Sequence, residues 1–421
     1  MEKENKYIID TPENRTFLKE QTDSLLSFGH GFVSPGGGSY YLGDAGEPWK
    51  DRPRETWITS RMVHVYSIGV MLGHEGAKEL AASALNGLAG ELHDDVNGGW
   101  YAGRTADGGI LPDKQCYAHA FVILASCSAK LAGIEGADEI LSDALRIYDK
   151  YFWDEDKGLS VDTWNTDFKK LSSYRGLNAN MHTVEAFLAA ADVLKDEKYR
   201  GRAGRIIDHV TGWAKENEYR IPEHFSDKWE PDLMCNSDKP DDCFKPYGAT
   251  PGHGIEWARL ITQWAVSTFR HDANTDALYR TGAKPYIDVA KKLYERAVSD
   301  AWNADGAPGI CYTTDWTGTP VVHDRMHWTL AEAINTSAVL YRFSKAEGGD
   351  AERYAADYEM YMRYLDEYVI DHKNGSWFHQ LDSNNVVIGT VWPGKSDLYH
   401  AVQATLIPYC EDVGVSVAAA V

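Results

Sequence analysis

The chain has 421 residues, 43% of them hydrophobic and 25% charged, a composition that excludes disorder and supplies one large core or two smaller ones. Its 63 acidic against 42 basic residues leave a formal charge of -21, which repels a phosphate backbone or an anionic membrane surface and argues against nucleic acid or membrane as partners. The opening MEKENKYIID is charged, and no stretch approaches the roughly eighteen apolar residues of a membrane span, so a cytoplasmic enzyme or binding protein is expected. The six cysteines show no Cys-x-x-Cys spacing and read as free thiols, including Cys235 and Cys243 on either side of a polar run.

In chain order, helical periodicity runs over 11–28, 55–73, 76–92, 113–132, 136–152, 175–195, 197–216, 252–272, 284–302, 325–346, 350–371 and 394–411. Segments such as ADEILSDALRIYDKYF carry one apolar stripe, whereas MHTVEAFLAAADVL and CYAHAFVILASCSAKL are apolar almost all round, as outer and inner helices would be. Glycine turns among β-prone residues, as in DDVNGGWYAG, DEDKGLSVDTW and KNGSWFHQLDSNNVV, predict short hairpins between them. One polar residue near each inner-helix start (Arg61, His119, His182, His253, His327, His400) recurs at intervals of 58 to 74 residues. No linker divides the chain. The expectation is an all-α, single-domain (α/α)6 barrel over 1–421 with short β-hairpin connections, an open α-solenoid being the alternative.

Polar side chains on inner helices need a partner or a cavity, because burying one unsatisfied costs about 1–3 kcal/mol. Here they gather in first turns, which places them at one end of the bore. His253 and Glu256 stand at i and i+3, as do His182 and Glu185 and, with the acid leading, Asp397 and His400; RMHWTLAEAINTS adds His327 and Glu332, and Trp57 and Arg61 share a face. Each pair alone reads equally as capping chemistry or a structural histidine. Several in register point to a site. A metal centre is the lesser reading, since each ligand comes from a different helix and no dense His-Glu-x-x-His spacing occurs. Trp57, Trp257, Trp316, Trp328, Trp377 and Trp392 lie beside these clusters or in hairpins, and an aromatic floor next to Arg, His and carboxylates suits a neutral polyol such as a sugar.

The motifs WITSRMVHVYS, GLNANMHTVEAFLAA, TPGHGIEWARL, RMHWTLAEA and GKSDLYHAVQATL resemble, in order from Trp57 to Leu406, the N-acylglucosamine 2-epimerase superfamily, and within it the branch of mannose and sulfoquinovose isomerases. The resemblance implies an (α/α)6 barrel that works without metal or organic cofactor on a monosaccharide. It implies His253 and His400 as the acid/base pair acting through a cis-enediol, with His400 taking the C2 proton and Glu256 assisting His253. Arg61 and His182 would bind sugar hydroxyls, and Trp328 and Trp392 would line the pocket, with Trp57, Glu332 and His119 counted among the binding residues.

Imidazole, with an ordinary pKa near 6.5, suits proton abstraction beside a carbonyl, and Arg61 suits a developing enediolate. Asp397 has two readings, a partner holding the tautomer of His400 or a helix cap. A 2-epimerase would begin from the same deprotonation, and a sulfoquinovose isomerase would need a cation such as Lys245 or Lys395 for the sulfonate. An (α/α)6 glycoside hydrolase using two carboxylates, or a non-catalytic sugar-binding protein, are the alternatives outside this chemistry. The acidic stretch 227–248 has the length of a lid or wall for the bore. The outer helices show no unbroken apolar face, which leaves a homo-oligomer open.

Overall fold

The computed structural model describes residues 5–269 and 282–421. Its long helices are α1 (Pro12–Phe28), α2 (Thr56–Met71), α3 (Ala77–Ala89), α4 (Cys116–Leu131), α5 (Ala137–Ile147), α6 (Leu177–Leu194), α7 (Glu197–Glu216), α8 (Pro251–Phe269), α9 (Lys284–Ala301), α10 (His327–Ala346), α11 (Glu352–Tyr364) and α12 (Tyr399–Leu406). All twelve predicted spans find a helix. Residues 270–272 of the eighth span lie outside the described residues, and α5 and α11 each run on into a π-helical turn, Tyr148–Phe152 and Leu365–Val369. The last span is the poorest match. The chain before Tyr399 is not helical, and Pro408 sits in a 3-10 turn, Ile407–Tyr409, that ends α12.

Helices α2, α4, α6, α8, α10 and α12 form the inner layer, each touching the next, and α12 touches α2, so the ring is closed and the solenoid alternative falls. Each inner helix packs on the outer helix that follows it: α3, α5, α7, α9 and α11. The sixth outer helix is α1, from the other end of the chain, packed on α12. Burial follows the sequence contrast, since α4 is buried from Cys116 through Ala129 except Tyr117, whereas α3 buries one stripe, Ala77, Ala81, Ala84, Leu85 and Leu88. Among the described residues no helix is long and apolar enough to cross a membrane.

The predicted hairpins are present, but they do more than connect. The residues just before an inner helix pair antiparallel with the strand after the next outer helix: Arg54–Glu55 with Gly103–Arg104, Lys114–Gln115 with Thr163–Trp164, Arg175–Gly176 with His224–Phe225, and Arg325–Met326 with Gln380–Leu381. Ala249 bridges Thr314 before α8, and Lys395 N–H donates to Leu42 O (3.0 Å) before α12. Glu55, Gln115, Gly176 and Met326 are therefore extended, and the helix starts at the next residue. The staples fix where each inner helix begins, which keeps the first turns level around the ring.

Two staples share a clamp. In Asp94-x-x-Asn97-Gly98 the carboxylate turns the loop by accepting from the Val96 and Asn97 amides, and Lys114 Nζ binds both Asp94 Oδ2 (2.8 Å) and Gly98 O (3.0 Å). In Asp371-x-x-Asn374-Gly375 the same place is filled by Lys395, whose Nζ reaches Asp371 Oδ2 (2.7 Å), Gly375 O (2.6 Å) and Asp44 O (2.8 Å). Lys395 is thus a buried structural cation and is not free for a sulfonate.

Candidate active site

All six inner helices deliver polar or aromatic side chains to one pocket at the stapled end of the bore. It holds Trp57 and Arg61 from α2, Tyr117 from α4, His182 from α6, His253 and Glu256 from α8, His327 and Trp328 from α10, and Asp397 and His400 from the start of α12. Cys243, Phe244 and Pro246 of the acidic segment close it from above, as expected of a wall, and both Cys235 and Cys243 are free thiols. An outer groove of about 550 Å³ narrows past Trp57, Tyr117 and Phe244 into this pocket of about 70 Å³.

His400 is buried, and its Nδ1 lies 3.1 Å from Glu332 Oε1. Burial first, and then the charge of Arg61, hold its pKa well below the usual histidine value. It is therefore a neutral imidazole, and with Nδ1–H donated to the carboxylate its Nε2 keeps a free lone pair. Glu332 Oε2 in turn accepts from Arg259 Nε (2.8 Å). The carboxylate behind His400 is thus Glu332 and not Asp397, and Glu332 lies fully buried outside the pocket lining, orienting a histidine instead of meeting substrate.

Asp397 holds the start of α12, as one of the two expectations had it, and also pairs with a cation. Its Oδ1 accepts from Tyr399 N–H (2.9 Å) at the start of α12, and its Oδ2 accepts from Arg61 Nη1 (3.2 Å). Burial alone would raise this carboxyl, but Arg61, the Tyr399 amide and the nearby histidines together outweigh it and keep the pKa below the ordinary value. Arg61 also donates through Nη2 to Tyr117 Oη (2.9 Å) and lies 4.6–4.8 Å from the rings of Trp57, Phe121 and Tyr399. The guanidinium is fixed on several sides.

His253 is not assisted by Glu256. Its Nδ1 lies 3.0 Å from Glu223 Oε2, a carboxylate from the residue before the staple strand His224–Phe225. Glu256 instead shares Arg259 with Glu332, at 3.4 Å against the 2.8 Å of Glu332. Burial first, then the negative charge of Glu332, push Glu256 well above the carboxylate range. Burial raises Glu332 as well, but Arg259, at the shorter contact, holds it below Glu256, so of the two acids on this arginine Glu332 keeps the charge while Glu256 carries the proton. Among the described residues Glu256 Oε2 has no hydrogen-bond partner, and the residue lines the pocket.

His182 contacts Glu185 through Nδ1 (3.3 Å), and Glu185 also accepts from Gln403 Nε2 (3.1 Å) and Tyr399 Oη. Trp328 packs against both principal histidines, its ring centre 5.0 Å from His253 and 5.8 Å from His400. Trp57, Trp392 and Phe244 pack edge to face at 5.5–6.4 Å and form the opposite apolar wall. Trp257 and Trp377 are core residues, and Trp316 Nε1–H donates to Leu233 O, tying the acidic segment to a hairpin.

His119 is the misplaced candidate. Its Nδ1 meets Gln115 O (2.7 Å), its Nε2 accepts from Trp100 N–H (3.1 Å), and its ring packs 4.6 Å from Phe152, away from the bore. Burial pushes its pKa down to about 3, so it is a neutral structural histidine. The bore-facing residue of α4 is Tyr117. Also unforeseen were Glu223, Arg259, Tyr312, Phe244 and His379, whose ring stacks on His327 at 3.7 Å. Arg259 stood inside the TPGHGIEWARL motif, three residues beyond Glu256; Glu223 and His379 come from connections and carried no periodic signal.

Among the described residues two groups of donors have metal-like spacing, and neither suits a cation. His182, Glu185 and Glu256 lie within 4.8 Å of one another, but Glu185 is already engaged by Tyr399, Gln403 and His182, and Arg259 supplies the positive charge. In the group Asp305, Cys311 and His323, Asp305 is held by both terminal nitrogens of Arg325 at 2.7 and 2.6 Å. Lys245, the other cation considered for a sulfonate, lies over the Tyr174 ring (3.7 Å) and borders the outer groove instead of the bore.

Residues 37–404 match the N-acylglucosamine 2-epimerase (GlcNAc 2-epimerase) family. The chain is 38% identical over 355 residues to a D-mannose isomerase of Pseudomonas cannabina pv. alisalensis, covering 84% of this chain and 82% of that protein. It is 37% identical over 398 residues to a D-mannose isomerase of Thermobifida fusca, covering 94% of each. A crystal structure of a D-mannose isomerase superposes with a TM-score of 0.82 at 26% identity, over 93% of this chain and 97% of that one. The closed ring of six helical hairpins, the polar first turns converging in its bore and these similarities together establish that the chain belongs to the N-acylglucosamine 2-epimerase family.

Proposed function

We propose that the whole chain is one catalytic domain, a cytoplasmic, cofactor-independent aldose-ketose isomerase that interconverts D-mannose and D-fructose through a cis-enediol. The observation that carries this reading is His400, a neutral imidazole backed by Glu332 and packed, like His253, against the Trp328 ring. Abstraction of the proton beside a carbonyl needs such an unprotonated base. His400 Nε2 takes the C2 proton of the open-chain aldose and delivers it to C1. Charge that develops on the sugar oxygens meets Arg61, held rigid by Asp397 and Tyr117. His253, with Glu223 behind it, opens the ring and moves the hydroxyl proton between O1 and O2, and His182 and Trp328 hold the sugar. The names of the relatives support mannose as the substrate.

The geometry speaks against a glycoside hydrolase, whose two carboxyl groups flank the scissile bond. Glu256 and Glu332 instead converge on one arginine, and Glu332 is behind a histidine. Incubation with D-mannose in deuterated water, followed by NMR, tests the reading. Fructose as the initial product, formed at an undiminished rate with EDTA, is expected; glucose as the initial product would make the enzyme a 2-epimerase, and binding with neither fructose nor glucose formed would overturn catalysis altogether.

A further inference from the structure

The segment that roofs the pocket leaves the staple strand His224–Phe225 and returns at Pro246. His224 is buried, and both ring nitrogens are engaged across that loop: Nε2 lies 2.9 Å from Pro246 O and Nδ1 lies 2.8 Å from Tyr174 Oη. A carbonyl oxygen only accepts, so Nε2 carries a hydrogen, and Nδ1 pairs with the tyrosine hydroxyl. The Tyr174 ring in turn lies under Lys245 Nζ, the residue between Phe244 and Pro246. His224 O also accepts from Asp232 N–H (2.8 Å), and Lys245 O accepts from Asn236 Nδ2 (2.7 Å), so both limbs of the loop are tied near one residue. The preceding residue is Glu223, 3.0 Å from His253.

We propose that His224 is a positioning residue: an imidazole that links Tyr174 to the Pro246 carbonyl and thereby holds Phe244 down as the ceiling of the bore pocket. Nothing else in the mechanism uses His224; it touches neither the pocket nor a reacting group. Its action goes through Phe244, which packs against Trp57 (6.1 Å) and Trp392 (5.5 Å) and separates the bore from the wide outer groove. With the tie cut, the ceiling lifts, water enters, and the sugar is held less tightly, while His400, Glu332 and Arg61 keep their places on the inner helices. The effect on sugar affinity rests on the isomerase reading; the tie itself does not.

Two measurements separate them. With D-mannose as substrate, His224→Ala is expected to raise KM about tenfold, the loss of one buried two-ended hydrogen-bond bridge, with kcat within about threefold of the parent. Phe244→Ala should do the same, and the double variant should be no worse than either single one, because both act on one ceiling. His224→Gln, which can still donate to Pro246 O, should recover part of the loss. Additive effects in the double variant, or an unchanged KM in His224→Ala, overturn the proposal. Independently of any activity, chymotrypsin cleavage after Phe244 should be about tenfold faster in His224→Ala than in the parent at equal far-UV circular dichroism; equal cleavage rates overturn it. If His224→Ala does not fold, Tyr174→Phe, which removes only the hydroxyl, carries both measurements with the same expected direction. Faster cleavage in a protein that does not convert mannose would keep the tie and discard the isomerase reading.

Discussion

Glu332→Gln is the most informative single change, because it keeps the shape of the side chain and alters only what it offers to His400. In the parent, Oε1 faces His400 Nδ1 (3.1 Å) and Asn335 Nδ2 (3.4 Å), and Oε2 faces Arg259 Nε (2.8 Å), so all three neighbours are donors. An amide has only one oxygen to give. If it goes to Arg259, the NH2 faces His400 and the imidazole must move its hydrogen to Nε2, which removes the base from the pocket. If it goes to His400, the NH2 is set against the buried guanidinium. Either way one donor loses its acceptor, about 1–3 kcal/mol, and a hydrogen bond of about 1 kcal/mol goes with it. With the oxygen kept by the charged Arg259, only the productive tautomer sets Nδ1–H against the NH2, and the sum, about 2–4 kcal/mol, corresponds to roughly 30- to 900-fold in its population at 1.36 kcal/mol per tenfold. The expected result is a fall in kcat of that size with little change in KM, and an equal fall in the rate at which mannose exchanges its C2 hydrogen in deuterated water. A variant with kcat within threefold of the parent would refute the role of Glu332. If C2 exchange persists while fructose formation stops, His400 is not the C2 base.

Removing the cation in Arg61→Gln relieves the second cause of the depressed His400 pKa, so the acid limb of kcat/KM, which lies below pH 6.5 in the parent, should move to higher pH; an unmoved limb in a full pH-rate profile would show that another group titrates there. Glu223→Gln should lower kcat about 10- to 100-fold by loosening His253, while Glu256→Gln, which replaces a protonated acid by a neutral amide, should cost less; steady-state kinetics on the two variants side by side give the order, and the reverse order would restore Glu256 as the partner of His253. Lys395→Met strands Asp371 without its buried partner and should cost about 3–5 kcal/mol in urea denaturation. Burial alone would raise the Asp371 carboxyl, but Lys395 and the loop amides bring it down to about 2 in the parent. Because that lies below the unfolded value near 3.9, the stabilisation is complete above about pH 4 and is lost as pH falls through 2, and the variant should show a correspondingly flatter stability profile over this window.

The fold was legible because the two helix types differ in composition: an inner helix such as α4, apolar around its circumference, has no other home than between a ring and its outer layer. Five of the six evenly spaced first-turn polar residues, all but His119, likewise meet in the shared pocket. Phase and partnership were not legible. At about 100° per residue, Tyr117 and His119 point some 160° apart, and the bore side of α4 is set by the staple at Lys114–Gln115, which pairs with residues almost fifty positions later. Charge partners were misassigned for a related reason. Glu256 and His253 share a face in sequence, yet Arg259, one turn deeper, draws Glu256 away, and the vacancy beside His253 is filled by Glu223 from a connection that shows no period.

The buried charges around the bore also suit the kind of reaction it performs. Arg61 is matched by Asp397, and Arg259 by Glu332, whereas Glu256 holds a proton and the buried histidines His182, His327, His379 and His400 are pushed towards neutrality. A neutral sugar entering this pocket brings no charge that would have to be paired, and isomerisation takes up and releases no net proton. The same proton that leaves C2 can therefore return to C1 without exchange with solvent, provided the pocket stays closed during the lifetime of the enediol. Transfer of deuterium from C2-labelled mannose to C1 of fructose measures that closure directly. Substantial transfer is expected in the parent, and progressive loss of label as Phe244 is shortened; complete washout in the parent would mean that His400 exchanges its proton with water faster than it reprotonates the sugar.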